Sequence, residues 1–136
     1  MHFVHLGIHT EFSITESIVR IPDLVKAAEK EQMPALALTD LSNLHAAVKF
    51  YGKCLGKGIK PILGSEIRLN DAEHRMTLLA MTNKGWRNLT ELVSEGFISG
   101  QQLDIPCVQK QWILNQSEDM IALLGMHSDV GKMLMS

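Results

Sequence analysis

Imidazole and carboxylate side chains occur near the ends of short apolar runs in this sequence. His9 ends the first run, and Glu16 follows in the loop behind it. Asp40 ends the second run, and Glu66 lies within the third. Because functional groups of α/β folds gather at the carboxyl ends of strands, these side chains are predicted to converge. Such a set of ligands could bind Zn²⁺, Mn²⁺ or Mg²⁺.

Each of these residues also has a purely structural interpretation. His9 is compatible with hydrogen bonding in a turn, and Asp40 with the common use of aspartate as a turn or cap residue. Glu16 lies in a polar loop and Glu66 alternates with apolar neighbours, so both are compatible with a solvated side chain. The sequence contains no HExxH, GxGxxG, P-loop or GxSxG motif. Spacing alone therefore gives a weak signal.

The first apolar run places His5, Gly7 and His9 two residues apart, so that they share one face of a strand. Two histidines on one face resemble the start of a metal site, with glycine between them. Gly7 is open to two explanations, a ligand position that has lost its side chain or a bulge where the strand needs glycine.

Apolar runs and helical periodicity alternate along the chain, which indicates an α/β fold with a largely parallel sheet. Strands are predicted over 3–9, 34–40, 59–69, 75–82 and 119–125, and helices over 22–32, from Ser42 to Leu55, over 83–97 and near 108–114. Ser42 and Asn83 are the predicted helix caps. The second helix carries the apolar residues Leu44, Ala47, Val48, Tyr51 and Leu55. Periodicity does not distinguish an open doubly wound sheet from part of a barrel.

Composition is that of an ordinary globular domain. The 136 residues are 46% hydrophobic and 21% charged, and the formal net charge of −2 calls for no nucleic-acid partner. Cys54 and Cys107 form no CxxC pair. The first residues show no cationic segment followed by an apolar run, and no apolar run is long enough for a membrane span. We expect a cytoplasmic protein without a membrane partner. Residues 133–135, just before Ser136, are still apolar and no helix stop signal is present, so we expect a piece of a longer chain.

Three stretches resemble a known family: FVHLGIHTEFSITES, MPALALTDLSNLHAAVKFYGKCLGKGIKPILGSEI and MTLLAMTNKGWRNLTELVSEG. They are similar to the PHP (polymerase and histidinol phosphatase) domain at the N-terminus of bacterial DNA polymerase III alpha subunits, from residue 3 to the end. The resemblance implies part of a distorted, TIM-like β/α barrel with mostly parallel strands. It also implies that residues 1–136 are the N-terminal part of a PHP domain in a much longer polymerase chain.

The resemblance extends to the individual ligand positions of the family. Metal-bearing PHP domains carry His-x-His on the first strand, and here that pair falls on Gly7 and His9. They carry Asp-His after the second strand, and here the pair is Asp40 and Leu41. The resemblance thus implies that one ligand of each pair is retained and the other is lost.

At the remaining family positions, too, some ligands are retained and others are replaced. Glu16 and Glu66 match acidic ligands, whereas Arg75 stands where a histidine opens the fourth strand and Met126 where a cysteine or histidine ends the fifth. The resemblance implies a vestigial site at His9, Glu16, Asp40, Glu66 and Arg75, with lost ligand positions at Gly7, Leu41 and Met126. No bound metal is expected, although a weak site at His9, Asp40 and Glu66 stays open. Arg75 would repel divalent cations, or pair with Glu66 or Asp40.

The implied function is that of a non-catalytic scaffold within a DNA-directed DNA polymerase. The parent polymerase would use Mg²⁺ and bind DNA, no catalytic residue would lie in this segment, and the implied partners are the rest of the chain, the proofreading exonuclease subunit and the replicase holoenzyme. One alternative is an active metal-dependent phosphoesterase or 3′–5′ exonuclease. Another is a metal-free pyrophosphate site at Arg75 and Lys60.

Overall fold

The computed structural model describes residues 3–70 and 74–125. The helices are α1 (Ile21–Lys30), α2 (Ala47–Leu55), α3 (Asn83–Ile98) and α4 (Lys110–Asn115). The strands are β1 (Ala35–Leu38), β2 (Lys60–Arg68), β3 (Arg75–Ala80), β4 (Gln101–Gln102), β5 (Ile105–Pro106) and β6 (Met120–Leu123). No helix within the described ranges is long and apolar enough to cross a bilayer. The chain divides into two compact units, residues 1–65 and 66–136.

In the first unit, β1 pairs in parallel with the beginning of β2, from Ala35 opposite Lys60 to Leu38 opposite Leu63. All four residues of β1 are buried, as expected for a short, wholly apolar strand. The helix α1 packs against α2, and α2 also contacts β1. The predicted helix 22–32 and the predicted strands 34–40 and 59–69 are confirmed to within two residues at each end.

The segment before α1 corrects the first prediction, because residues 3–9 form no regular strand. The segment still lies beside β1: the Ala37 amide donates to the His5 carbonyl at 3.0 Å, and the Thr39 amide donates to the Ile8 carbonyl at 2.9 Å. Two steps along β1 thus match three steps along the segment, so one extra residue interrupts the ladder near Gly7. The Ile8 amide donates to the Thr39 hydroxyl at 2.8 Å, so a side chain and not a backbone carbonyl accepts this hydrogen bond.

The entry to α2 also differs from the prediction, because α2 starts at Ala47 and Ser42 does not cap it. Ser42 is buried with a left-handed backbone, at φ 52°. Asn43 organises this turn instead, since its amide nitrogen donates to the Phe12 carbonyl at 3.0 Å and its side-chain oxygen accepts from the His45 amide at 3.2 Å. Asn43 thereby joins this turn to the segment that carries Phe12.

In the second unit, the last residues of β2 neighbour β3, and β3 pairs antiparallel with β6, from Thr77 opposite Leu123 to Ala80 opposite Met120. The helix α3 packs against β3. Its cap is Thr82, not Asn83, because the Thr82 hydroxyl accepts from the amides of Lys84 and Gly85. Between α3 and α4, where the sequence predicts a loop, β4 and β5 form a small hairpin.

Candidate functional site

The first polar centre is built on Asp40, directly after β1. Asp40 is 1% exposed, and its carboxylate accepts three short hydrogen bonds. The Thr10 amide donates to Oδ1 at 2.6 Å, and the Thr10 hydroxyl donates to Oδ2 at 2.7 Å. The Ser13 hydroxyl donates to Oδ1 at 2.6 Å. We call Thr10, Ser13 and Asp40 the Asp40 centre.

Backbone amides orient the two hydroxyl groups of this centre. The Leu41 amide donates to Ser13 Oγ at 3.0 Å, and the Phe12 amide donates to Thr10 Oγ1 at 3.3 Å. Each hydroxyl therefore accepts from the backbone and directs its own proton at the carboxylate. Since a carboxylate offers about four acceptor positions, the three donors fill most of the capacity of Asp40.

The same centre fixes the loop that carries two predicted ligands. His9 directly precedes Thr10 and is part-buried, and its carbonyl accepts from the Ser17 hydroxyl at 2.8 Å. The Glu16 side chain is exposed, while its amide donates to the Ser13 carbonyl at 2.9 Å. Asp40 therefore binds this loop through Thr10 and Ser13, and the loop carries His9 and Glu16.

The end of β1 is fastened to β2 as well. The Ser65 hydroxyl donates to the Asp40 carbonyl oxygen at 2.8 Å, and Ser65 is fully buried. The main chain and the side chain of Asp40 thus hold different parts of the first unit. Such a residue has limited freedom to move toward a ligand, because both of its polar ends are occupied.

A second polar pair lies in the second unit. Arg75 Nη1 lies 3.3 Å from Glu66 Oε2, and the two side chains are 30% and 22% exposed. Glu66 is on β2 and Arg75 opens β3, so neighbouring strands hold the pair. Of the two partners that the sequence allows for Arg75, the structure has Glu66. Met126, predicted as a lost ligand position, lies outside the described residues.

Sequence reasoning missed Thr10 and Ser13, although both are buried and bind Asp40. A threonine and a serine in the polar stretch after the first apolar run carry no periodic signal. The signal that could have found them is the pair of small hydroxyl residues three apart, directly after a predicted strand, because serine and threonine favour turns.

Residues 3–70 and 74–125 contain no group of three or more histidine, cysteine, aspartate or glutamate side chains arranged to hold a metal ion. Burial raises the pKa of the Cys54 thiol to about 11, so the thiol stays protonated at neutral pH. Cys54 therefore lacks the thiolate character of a catalytic cysteine.

The α/β fold with polar residues after its strands is that of a PHP domain, and the family model described as "PHP domain" matches residues 5–135. The chain belongs to the PHP domain family. A solved structure with this fold, from Bifidobacterium adolescentis, is provisionally assigned as a metal-dependent phosphoesterase. It superposes with a TM-score of 0.51 at 18% identity, over 71% of this chain and 32% of that one.

Polymerase sequences are the more similar relatives. DNA polymerase III subunit alpha of Pseudomonas aeruginosa is 46% identical over 126 residues, which cover 89% of this chain and 11% of that protein. The Escherichia coli subunit alpha is 39% identical over 139 residues, covering 98% of this chain and 12% of that protein. The chain thus spans about one ninth to one eighth of the length of these relatives, within their N-terminal region.

Proposed function

We propose that this chain is the N-terminal PHP segment of a replicative DNA polymerase III alpha subunit, where it acts as a scaffold and not as a hydrolase. In this role it supports the polymerase body and docks the proofreading exonuclease subunit of the replicase. The similarity to subunit alpha over 89% to 98% of the chain supports the assignment to a polymerase. Polymerisation itself, with Mg²⁺ and bound DNA, belongs to parts of the parent protein other than this segment.

The hydrogen bonding of Asp40 carries the scaffold proposal. A carboxylate that ligates a metal turns at least one oxygen toward the ion, whereas three of the about four acceptor positions of Asp40 are filled by Thr10 and Ser13. A rotation of this carboxylate toward a metal would break some of these bonds, at about 1–3 kcal/mol for each buried donor left unsatisfied. Asp40 therefore stabilises the loop that carries Thr10 and Ser13, which is a structural role.

The pair of Glu66 and Arg75 supports the same proposal. A guanidinium 3.3 Å from the Glu66 carboxylate supplies the positive charge that a divalent cation would otherwise supply. It also opposes the approach of a cation to Glu66, because the repulsion between like charges persists at part-buried positions. His9 and Glu16 match two further family ligands, and their retention keeps an active phosphoesterase as the second candidate.

Metal content and hydrolysis of the purified 136-residue chain separate the two candidates. We expect substoichiometric zinc and manganese by mass spectrometry after dialysis. Cleavage of a single-stranded oligonucleotide with added Mn²⁺ should not exceed that of the His9→Ala variant. Stoichiometric metal together with cleavage that His9→Ala abolishes would contradict the scaffold proposal.

A variant with restored ligands is the matched positive control. Gly7→His, Leu41→His and Arg75→His together return the family's imidazoles, and a Cβ added at position 7 meets no atom within 4 Å. This triple variant should bind Zn²⁺ more tightly than the parent chain. Docking is tested separately, by titrating the chain with the proofreading exonuclease of the same replicase. Absence of binding would remove the docking role alone.

A further inference from the structure

Ser42 has two unfavourable features in the turn that leads into α2. Its backbone is left-handed, at φ 52°, a conformation that L residues other than asparagine and aspartate seldom adopt. Its hydroxyl is buried and has no hydrogen-bond partner in the described part of the chain. Because a left-handed serine and a buried hydroxyl without a partner both cost free energy, contacts of other residues must hold Ser42 in this conformation.

Asn43 supplies such contacts. Its side-chain nitrogen donates to the Phe12 carbonyl at 3.0 Å and to the Leu41 carbonyl at 3.1 Å. Its side-chain oxygen accepts from the His45 amide at 3.2 Å. The side chain of Asn43 therefore closes the turn and also joins the turn to the loop that contains Phe12.

The start of α2 lacks a capping side chain. Ala46 precedes the helix with right-handed dihedral angles, φ −77° and ψ −14°, and its side chain offers no acceptor to the first amides. The Ala47 amide donates to the Leu44 carbonyl at 3.1 Å, so a helix-like turn already precedes α2. Leu44 also continues the apolar positions Val48 and Tyr51 at the helical spacing i, i+4, i+7. These features favour one further turn of helix before Ala47.

Ser42 occupies the sequence position that would cap this additional turn. In a helix that begins at Asn43, Ser42 is the N-cap residue, whose hydroxyl typically accepts from an amide two or three residues later. The amide three residues later is that of His45, which in the structure donates to the Asn43 side chain. The side chains of Ser42 and Asn43 therefore compete for one donor.

We propose that the turn before α2 is a two-state element in which the His45 amide exchanges between Asn43 and Ser42. In the observed state Asn43 holds both this amide and the Phe12 carbonyl. In the second state Ser42 caps a helix that starts at Asn43, and the Phe12 carbonyl loses its donor. The length of α2 is thereby coupled to the loop that contains Phe12, so that movement of this loop favours the longer helix. The inference goes beyond the scaffold proposal, because it depends on this turn alone.

Nuclear magnetic resonance of the 136-residue chain detects the second state directly. Chemical-exchange saturation transfer on the ¹³Cα nuclei of Asn43 and Leu44 should reveal a minor state with helical shifts, populated at about 1–10%. Ser42→Ala removes the capping hydroxyl and should lower this population about fivefold. Ser42→Gly should lower the population as well, because glycine adopts the left-handed conformation without strain and leaves no hydroxyl unpaired.

Asn43→Ala should have the opposite effect. It removes the competing acceptor and the hydrogen bond to Phe12, so we expect the helical population at residues 43–46 to rise about tenfold or more. Adding Ser42→Ala to Asn43→Ala should reverse most of this rise, which a simple loosening of the turn would not do. Asn88→Ala is the matched control, because the Asn88 side chain also donates to a distant carbonyl, that of Glu118 at 3.0 Å. It should leave the shifts of residues 43–46 unchanged.

Three results would overturn the inference. The first is the absence of a helical minor state in the parent chain, which decides the question even where Asn43→Ala does not fold. The second is a folded Asn43→Ala variant, verified by its melting curve, with non-helical shifts at residues 43–46. The third is a helical population that Ser42→Ala leaves unchanged. Hydrolytic activity of the chain would contradict the scaffold proposal and leave this inference standing.

Discussion

Two carboxylates of this protein are stabilised in different ways. Asp40 is 1% exposed, and among the described residues the donors to its oxygens are neutral groups of Thr10 and Ser13. Glu66 is 22% exposed at its side chain and has the cation Arg75 at 3.3 Å. The family resemblance predicts both residues as acidic ligand positions, and the two carboxylates have partners of different kinds, neutral donors for Asp40 and a cation for Glu66.

The difference shows that burial decides what a carboxylate needs. A charge without water must have several hydrogen-bond donors in fixed positions, because an unsatisfied buried group costs more than a hydrogen bond contributes. A part-exposed carboxylate keeps some hydration, so an ion pair with a guanidinium contributes little net stability. We therefore expect the Asp40 centre to be important for folding and the Glu66–Arg75 pair to be of small thermodynamic weight.

Asp40→Ala is expected to have the largest effect. The substitution removes the acceptor for three buried donors, and we expect the free energy of unfolding to fall by about 3–5 kcal/mol. Urea denaturation followed by circular dichroism measures the change. Asp40→Asn should lower the free energy of unfolding less, because one oxygen remains to accept hydrogen bonds. A loss below about 1 kcal/mol for Asp40→Ala would show that the Asp40 centre is not important for stability.

Ser13→Ala should have an intermediate effect. It removes a donor to Asp40 at 2.6 Å and an acceptor for the Leu41 amide at 3.0 Å, so we expect a loss of about 1–3 kcal/mol in the same denaturation experiment. Ser94→Ala is the control, since Ser94 is exposed and its hydroxyl donates only to its own helix, at the Thr90 carbonyl. Equal effects of the two substitutions would contradict the special role of Ser13.

Arg75→Met should change stability by less than about 1 kcal/mol, since part-exposed ion pairs contribute little. A double-mutant cycle with Glu66→Gln isolates the pair, and its coupling free energy should shrink when NaCl rises from 0.05 M to about 1 M. A coupling free energy above about 2 kcal/mol that does not change with salt would mean that this pair, like the Asp40 centre, is important for stability.

Gly7→Ala should have the smallest effect, within about 0.5 kcal/mol of the parent. Gly7 is exposed, an added Cβ meets nothing within 4 Å, and its φ lies outside the left-handed range. Thermal melting is sufficient to detect a difference. A large destabilisation would mean that Gly7 is required by the irregular segment beside β1, which would disfavour its explanation as a lost ligand position.

Sequence patterns identified most elements, because apolar runs and helical periodicity reflect burial directly. The apolar stripe of α1 and the wholly apolar β1 lie within two residues of their predicted positions. The apolar residues of α2 were less informative, since Val48, Tyr51 and Leu55 are exposed and Ala47, Phe50 and Cys54 are buried. Periodicity identifies an apolar side of a helix, but it does not say which of two adjoining apolar sides meets the core.

The hairpin β4–β5 escaped prediction for a different reason. Its turn residues Leu103 and Asp104 both have positive φ, at 50° and 65°, where glycine or asparagine is the usual signal. The antiparallel direction of β6 could not be predicted either, because the sequence pattern of an apolar strand is the same beside a parallel or an antiparallel neighbour. Both features depend on contacts between segments and not on local preference.

The sequence by itself determined the α/β class, the PHP resemblance and the residues that could pair, because residue types and their spacing are local facts. Only the tertiary structure decided that Asp40 binds Thr10 and Ser13 and that Arg75 binds Glu66. The physical reason is distance along the chain: Thr10 and Asp40 are 30 residues apart, and a hydrogen bond of 2.6 Å between them exists only after β1 and the first loop have packed.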